Sequence, residues 1–228
     1  MRSESTISVV AWDLDNTLID RDTAFRSCLQ ALAHMHGGIL DSQGMQRVLA
    51  YDRSGKADRL ATMALLASQL GLPITAAPEL WDETKRLLPD FITPEPEIIR
   101  LLSGLAGQYS LVLVSNGDGP LQRAKLRRSG LLDFFRERWI LISGELGMKK
   151  PEPEIFSELT TRTEQAPTNI MFVGDDPVND MAGAAAANMM TCWVSRGESW
   201  PSGPLPDMVV MSALELDTVL ARRETVSS

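Results

Sequence analysis

Short β-branched, apolar runs recur along this chain, and each stops at small or acidic residues. Ile7 to Trp12 ends at Asp13, Tyr109 to Val114 at Ser115-Asn116-Gly117, Trp139 to Ile142 at Ser143-Gly144, Ile170 to Val173 at Gly174-Asp175, and Thr191 to Val194 at Ser195-Arg196-Gly197. Brief runs of this kind suit strands buried on both faces. Leu121 to Leu132, Glu152 to Thr163 and Val178 to Asn188 carry helical spacing instead. Strands that alternate with helices imply right-handed crossovers, so the expected fold class is α/β with a mostly parallel sheet covered on both faces. Such sheets bind ligands at the carboxyl ends of their strands, where the polar residues of this chain stand.

From about Asp22 to Pro89 the alternation breaks. This interval lacks a β-branched strand run and reads as several amphipathic helices punctuated by Gly37-Gly38, Gly55 and Gly71-Leu72-Pro73. Pro89, Pro94 and Pro96 mark the return to the sheet. The expected organisation is a sheet domain over 1–20 and 90–228 with a helical insertion over 21–89, a size that 228 residues can support. After Pro201 come a proline-rich stretch, a short apolar run at Met208 to Met211 and a terminal helix.

A net charge of −8 makes nucleic acid and anionic membrane poor partners. No window approaches the ~20 apolar residues of a membrane helix, and the polar stretch from Met1 to Ser8 lacks the apolar core of a signal peptide. Cys28 and Cys192 are far apart and outside any C-x-x-C pattern, which suits a reducing compartment. The expectation is a cytoplasmic protein, monomeric or homodimeric, that acts on a small molecule.

The first strand delivers Asp13-Leu14-Asp15-Asn16-Thr17 to the sheet edge. One carboxylate of such a pair can attack an electrophile while the other handles a proton, because unlike surroundings separate two pKa values. A later strand end brings Gly174-Asp175-Asp176-Pro177-Val178-Asn179-Asp180. Acidic strand ends that meet at one edge form a hard, oxygen-rich site suited to Mg²⁺ and a substrate phosphate. Taken singly, strand-end aspartates also cap helices, and Ser-Asn-Gly is an ordinary turn. His34 and His36, two apart on a helix, face different directions and do not read as a metal site.

Together these residues resemble the haloacid dehalogenase-like hydrolases. The resemblance rests on Asp13-x-Asp15-x-Thr17, on Ser115-Asn116-Gly117, on Lys150-Pro151 ahead of a helix, and on Gly174-Asp175-Asp176 with Asp180, spanning Ile7 to Asp180. It implies a Rossmann-like three-layer core with the helical insertion as a cap. It also implies a Mg²⁺-dependent phosphatase that hydrolyses a small phosphomonoester, a sugar phosphate or nucleoside monophosphate, through an aspartyl-phosphate. Asp13 would be the nucleophile and Asp15 the acid and base. Asp13 and Asp175 would hold the metal with the Asp15 carbonyl, and Asp176 or Asp180 would orient metal-bound water or Lys150. Ser115, the backbone N–H of Asn116 and Lys150 would compensate phosphate charge, while Thr17 would hold the turn and bond Asp15. In the insertion, Arg53 and Lys56 form a basic turn placed to reach a leaving group. Asp15 distinguishes this pattern from haloacid dehalogenases, which typically lack an acid there. The alternatives are a phosphosugar mutase, a 2-haloacid dehalogenase and a catalytically silent binding protein.

Overall fold

The computed structural model describes residues 6–201 and 203–226, with side chains to residue 221. The polar leader read from Met1 to Ser8 lies mostly outside them. Among the described residues the strands are β1 (Val9–Trp12), β2 (Ser110–Ser115), β3 (Ile140–Ile142), β4 (Ile170–Gly174), β5 (Met190–Val194) and β6 (Met208–Val210). All pair in parallel, in the order β3-β2-β1-β4-β5-β6. The fold is α/β and Rossmann-like. β6 forms from the short apolar run after Pro201, and the Met208 end of that strand pairs with Cys192.

Apart from Ser110, Ser115, Gly174 and Thr191, β1 to β5 are apolar and almost wholly buried, as a sheet covered on both faces requires. On one face Val9, Ala11, Val112, Val114, Ile170 and Phe172 pack with Ile155, Phe156 and Leu159 of α8 (Pro153–Thr163). The Phe156 and Phe172 rings meet there at 5.6 Å between centroids, tilted by 60°, a favoured aromatic geometry. Two expected helices differ from their sequence patterns. The run to Leu132 stops at Arg128 and resumes as a separate 3₁₀ turn, Leu132–Phe134, because Gly130 adopts a left-handed φ of 73°. The run from Val178 to Asn188 opens as a π-type turn, Pro177–Ala182, before a short α-helix, Gly183–Ala186.

The chain divides into two compact units, one running to Ile19 and resuming at Pro94, the other Asp20–Thr93. The second unit is built from α1 (Arg21–Met35), α2 (Ser42–Asp52), α3 (Arg59–Gln69) and α4 (Ala77–Leu87). Asp20, Asp41 and Asp58 cap the first three of these helices, accepting from Thr23, Gly44 and Ala61 N–H, each cap contributing about 1 kcal/mol. Phe25, Leu29 and Leu32 of α1, Met63 and Leu66 of α3 and Leu80 of α4 are fully buried. Leu88–Phe91 forms a 3₁₀ turn packed on α1 and so belongs with these helices. No helix among the described residues is long and apolar enough to cross a membrane.

Candidate active site

Chain order runs from β1 through β2 to β3 on one side of the sheet and from β4 through β5 to β6 on the other. The crevice where a parallel sheet reverses its order lies at the carboxyl end of its central strands, here β1 and its neighbours. Trp12 is level with Leu113 of β2 and Val173 of β4. Asp13, whose N–H donates to the Val173 carbonyl at 2.9 Å, therefore emerges beside Ser115, the last residue of β2, and Asp175, the first after β4.

Lys150 is the hub of this edge. Its Nζ, almost fully buried, lies 2.6 Å from Asp13 Oδ1 and 2.7 Å from Asp180 Oδ1. Its backbone is clamped by Asn116, whose Nδ2 donates to the Lys150 carbonyl and whose Oδ1 accepts from the Lys150 N–H, both at 2.9 Å. The Asn116 side chain thus fixes the lysine, leaving only its backbone for the phosphate role read from the sequence. Burial pushes the Asp13 carboxyl up to about 7; Lys150 pulls it down, and Asp180 and Asp15 push it up. Burial also opposes the charge of Lys150, but Asp13 and Asp180 overcome it and raise its pKa above the ordinary lysine range.

One oxygen each from Asp13, Asp175 and Asp180 lies within 4.8 Å of the others. The donor set is hard and oxygen-only, three carboxylates of which two are bound by the Lys150 ammonium. These residues fit a divalent cation such as Mg²⁺.

The choice between Asp176 and Asp180, open in the sequence, is settled by the π-type turn. Asp176 caps that turn, accepting from Val178 and Asn179 N–H and from Asn179 Nδ2, while Asp180 meets Lys150. The Asp176 carbonyl accepts from both Asp180 and Met181 N–H, and this wider turn carries the Asp180 side chain back over β4. A Cβ on Gly174 would lie 2.2 Å from Asp180 Oδ2, so only glycine admits the acid there. Thr17 also departs from expectation. Its hydroxyl donates to Asp13 Oδ2 at 3.3 Å, not to Asp15, because Asn16 takes a left-handed φ of 63° that folds residue 17 back beneath the strand end.

Asp15 instead meets two residues that sequence reading missed. From α6 (Gly119–Arg128), Lys125 Nζ lies 2.8 Å from both carboxylate oxygens of Asp15. Gln122 Nε2 donates to Asp15 Oδ2 at 3.0 Å and to Ser115 Oγ at 2.6 Å. Gly117, at φ 149°, makes room, since a Cβ there would stand 3.0 Å from Gln122 Cδ. The available signal was a glutamine and a lysine on the same stripe as Leu121 and Leu126, where a buried helix face should be apolar.

In the helical unit, Arg53 and Lys56 are exposed on a turn closed by Asp52, whose carbonyl accepts from the Gly55 and Lys56 N–H groups. Arg53, Ser54 and Gly55 all take positive φ there.

The family model for haloacid dehalogenase-like hydrolases matches residues 7–188, and so covers all the strand ends just described. The chain is a haloacid dehalogenase-like hydrolase. Among its relatives are pyrimidine 5'-nucleotidase YjjG of Escherichia coli, 31% identical over 59% of this chain and 60% of that one, and a phosphoserine phosphatase of Thermus thermophilus, 41% identical over 39% and 34%. The matched stretch of this hydrolase thus spans between a third and three fifths of those relatives. The magnesium-bound structure of the HAD-hydrolase YfnB from Bacillus subtilis shares the fold at a TM-score of 0.83 and 23% identity, covering 95% of this chain and 99% of that one.

Proposed function

We propose that this hydrolase is a Mg²⁺-dependent phosphatase that cleaves small phosphomonoesters through an aspartyl-phosphate. The observation that carries the reading is the Lys150 ammonium between Asp13 and Asp180, with Asp175 alongside, at the end of the central strand. Asp13 is the nucleophile: a carboxylate oxygen bonds to phosphorus as the bond to the leaving oxygen breaks, and Asp15 gives that oxygen a proton. Asp15 then takes a proton from the water that attacks phosphorus, the bond to Asp13 breaks, and phosphate departs. Ser115 and the Asn116 N–H donate to the phosphate oxygens, and Lys150 places positive charge beside them. Asp13 and Asp175, with the Asp15 carbonyl, would hold Mg²⁺ beside Asp180, and the metal would supply the remaining charge compensation.

Relatives named for a nucleotide and for phosphoserine support a small phosphorylated metabolite as the substrate class. In this reading Arg53 and Lys56 of the helical unit set substrate preference. Asp15 disfavours the dehalogenase alternative, because a halide leaves without a proton. The test is phosphate release from p-nitrophenyl phosphate and from a panel of sugar phosphates, nucleoside monophosphates and phosphoserine, with and without Mg²⁺. Turnover that needs the metal and vanishes in Asp13→Asn supports the reading. A folded protein that hydrolyses none of them would leave a binding protein.

A further inference from the structure

Two polar residues one helical turn apart lie on the buried face of α6, and the chemistry above uses neither. Gln122 is 1% exposed and Lys125 3%. Burying an ammonium is costly unless a paired anion compensates it. Leu121 and Leu126, neighbours on the same helix, show that this face accepts leucine. Packing alone therefore does not call for a lysine or a glutamine here.

What the two share is their target. Lys125 Nζ bridges both oxygens of Asp15 at 2.8 Å. The Gln122 amide spends one N–H on Asp15 Oδ2 and the other on Ser115 Oγ. A carboxylate accepts only, which dictates that the nitrogen and not the oxygen of Gln122 faces it. A hydroxyl that accepts from Gln122 keeps its own hydrogen for a different acceptor.

We infer that Gln122 and Lys125 are positioning residues: they fix the Asp15 carboxylate for proton transfer and turn the Ser115 hydroxyl outward as a phosphate donor. The inference rests on Asp15 being the proton carrier of the proposed phosphatase. When Asp15 has passed its proton to the leaving oxygen, Lys125 stands beside the charge it then carries until a water proton replaces the one lost. The ammonium and the amide hold their target in one place through both half-reactions, and they act on the substrate only through Asp15 and Ser115.

The experiment compares Lys125→Met with the wild type on a primary alkyl phosphate and on 2,4-dinitrophenyl phosphate, whose leaving group needs no proton. A positioned acid contributes on the order of 10²–10⁴ to rate, so kcat for the alkyl ester should fall roughly ten- to hundredfold with KM within about twofold. First-turnover release of dinitrophenolate should change less than about threefold, and Lys125→Arg should recover most of the alkyl activity. In an Asp15→Asn background Lys125→Met should cost nothing further. Should Lys125→Met fail to fold, Gln122→Met carries the same comparison, with a smaller selective loss expected. Equal losses on both substrates, a change confined to KM, an unaltered kcat or a further loss in the Asp15→Asn background would each overturn the inference. A wild type without Mg²⁺-dependent turnover, or an Asp13→Asn variant that keeps it, would sink the phosphatase reading as well. An active wild type dependent on Asp13 and Asp15 but indifferent to Lys125 and Gln122 would sink the positioning role alone.

Discussion

In the helical unit the buried Arg21 sits against the buried Asp52, and in the sheet unit the buried Lys150 sits between Asp13 and Asp180. The first arrangement is closed. Asp52 accepts from both Arg21 amino groups and from the Gly55 N–H at 2.8 Å, with Arg59 Nη1 3.5 Å away, while the Arg21 guanidinium also stacks on Phe25 at 4.1 Å. Arg21 Nη1 also holds Asp22 at 3.3 Å, so two guanidinium groups meet two carboxylates, and the result is a pinned turn. The second arrangement is open to a cation: Lys150 binds Asp13 and Asp180, and Asp175 brings a third carboxylate oxygen within 4.8 Å of theirs. A buried ion pair is by itself weak evidence for stability or for function. What separates the site from the pin is the three carboxylate oxygens gathered at one point.

Lys150→Met should lower kcat by about a thousandfold, the scale of losing a preorganised charge at a developing oxyanion, and it should leave the acids uncompensated. The metal-free variant should unfold ~3–5 kcal/mol more easily, with part of that loss regained on adding Mg²⁺. Thermal melts with and without the metal check the second half, and a phosphatase assay the first. Arg21→Met should cost a similar ~3–5 kcal/mol by taking from the buried Asp52 its two-pronged partner and from Asp22 its cation, and Mg²⁺ should return none of it. An Arg21→Met, Asp52→Leu pair should be milder than Arg21→Met alone, as expected for a pin replaced by apolar packing. If Mg²⁺ rescued Arg21→Met, the division between closed and open pairs would be wrong.

How far each arrangement was legible follows from how local its causes are. Asp13, Ser115 and Asp175 stand out because a strand buried on both faces is a continuous apolar run that ends abruptly. Lys150 is marked by the proline after it. Asp180 could not be separated from Asp176, since the decision lies in a backbone turn of unusual width, and a helix pattern in the sequence looks the same with or without it. The partner of Thr17 depends on the left-handed Asn16, and asparagine only permits that conformation. Gln122 and Lys125 were passed over because polar residues on a helix are normally read as its wet face. In the helical unit the turn carrying Arg53 and Lys56 was visible from its glycine, whereas the Arg21–Asp52 pin joins residues in different helices and left no local mark.

The folded pKa of Asp13, about 7, lies above the ordinary carboxylate value of 3.8. Between those values the metal-free folded state therefore holds a proton that the unfolded chain has released, and its stability falls as pH rises through that window. Without metal the Tm should drop between pH 5 and pH 8, and Asp13→Asn should flatten the profile. Because a cation competes with that proton, the Tm gained on adding Mg²⁺ should be greater at pH 8 than at pH 5. An equal gain at both values would mean that the metal does not engage Asp13.

The smallest expected effect compares one cap from each unit. Asp41 accepts from the Gly44 N–H at the start of α2, and Asp176 caps the turn that carries Asp180. Either change to alanine should cost about 1 kcal/mol of stability, the usual value of such a cap. Their effects on rate should differ. Asp41→Ala removes a bond whose loss frays one exposed helix end, and kcat should not move. Asp176→Ala loosens the segment that sets Asp180 against Lys150, where a misplacement of about 1 Å can cost on the order of a hundredfold. A loss of roughly ten- to hundredfold in kcat from so modest a change in stability would show that the π-type turn is built to aim Asp180. Equal, near-zero effects of both variants on kcat would instead assign Asp176 to holding the chain alone.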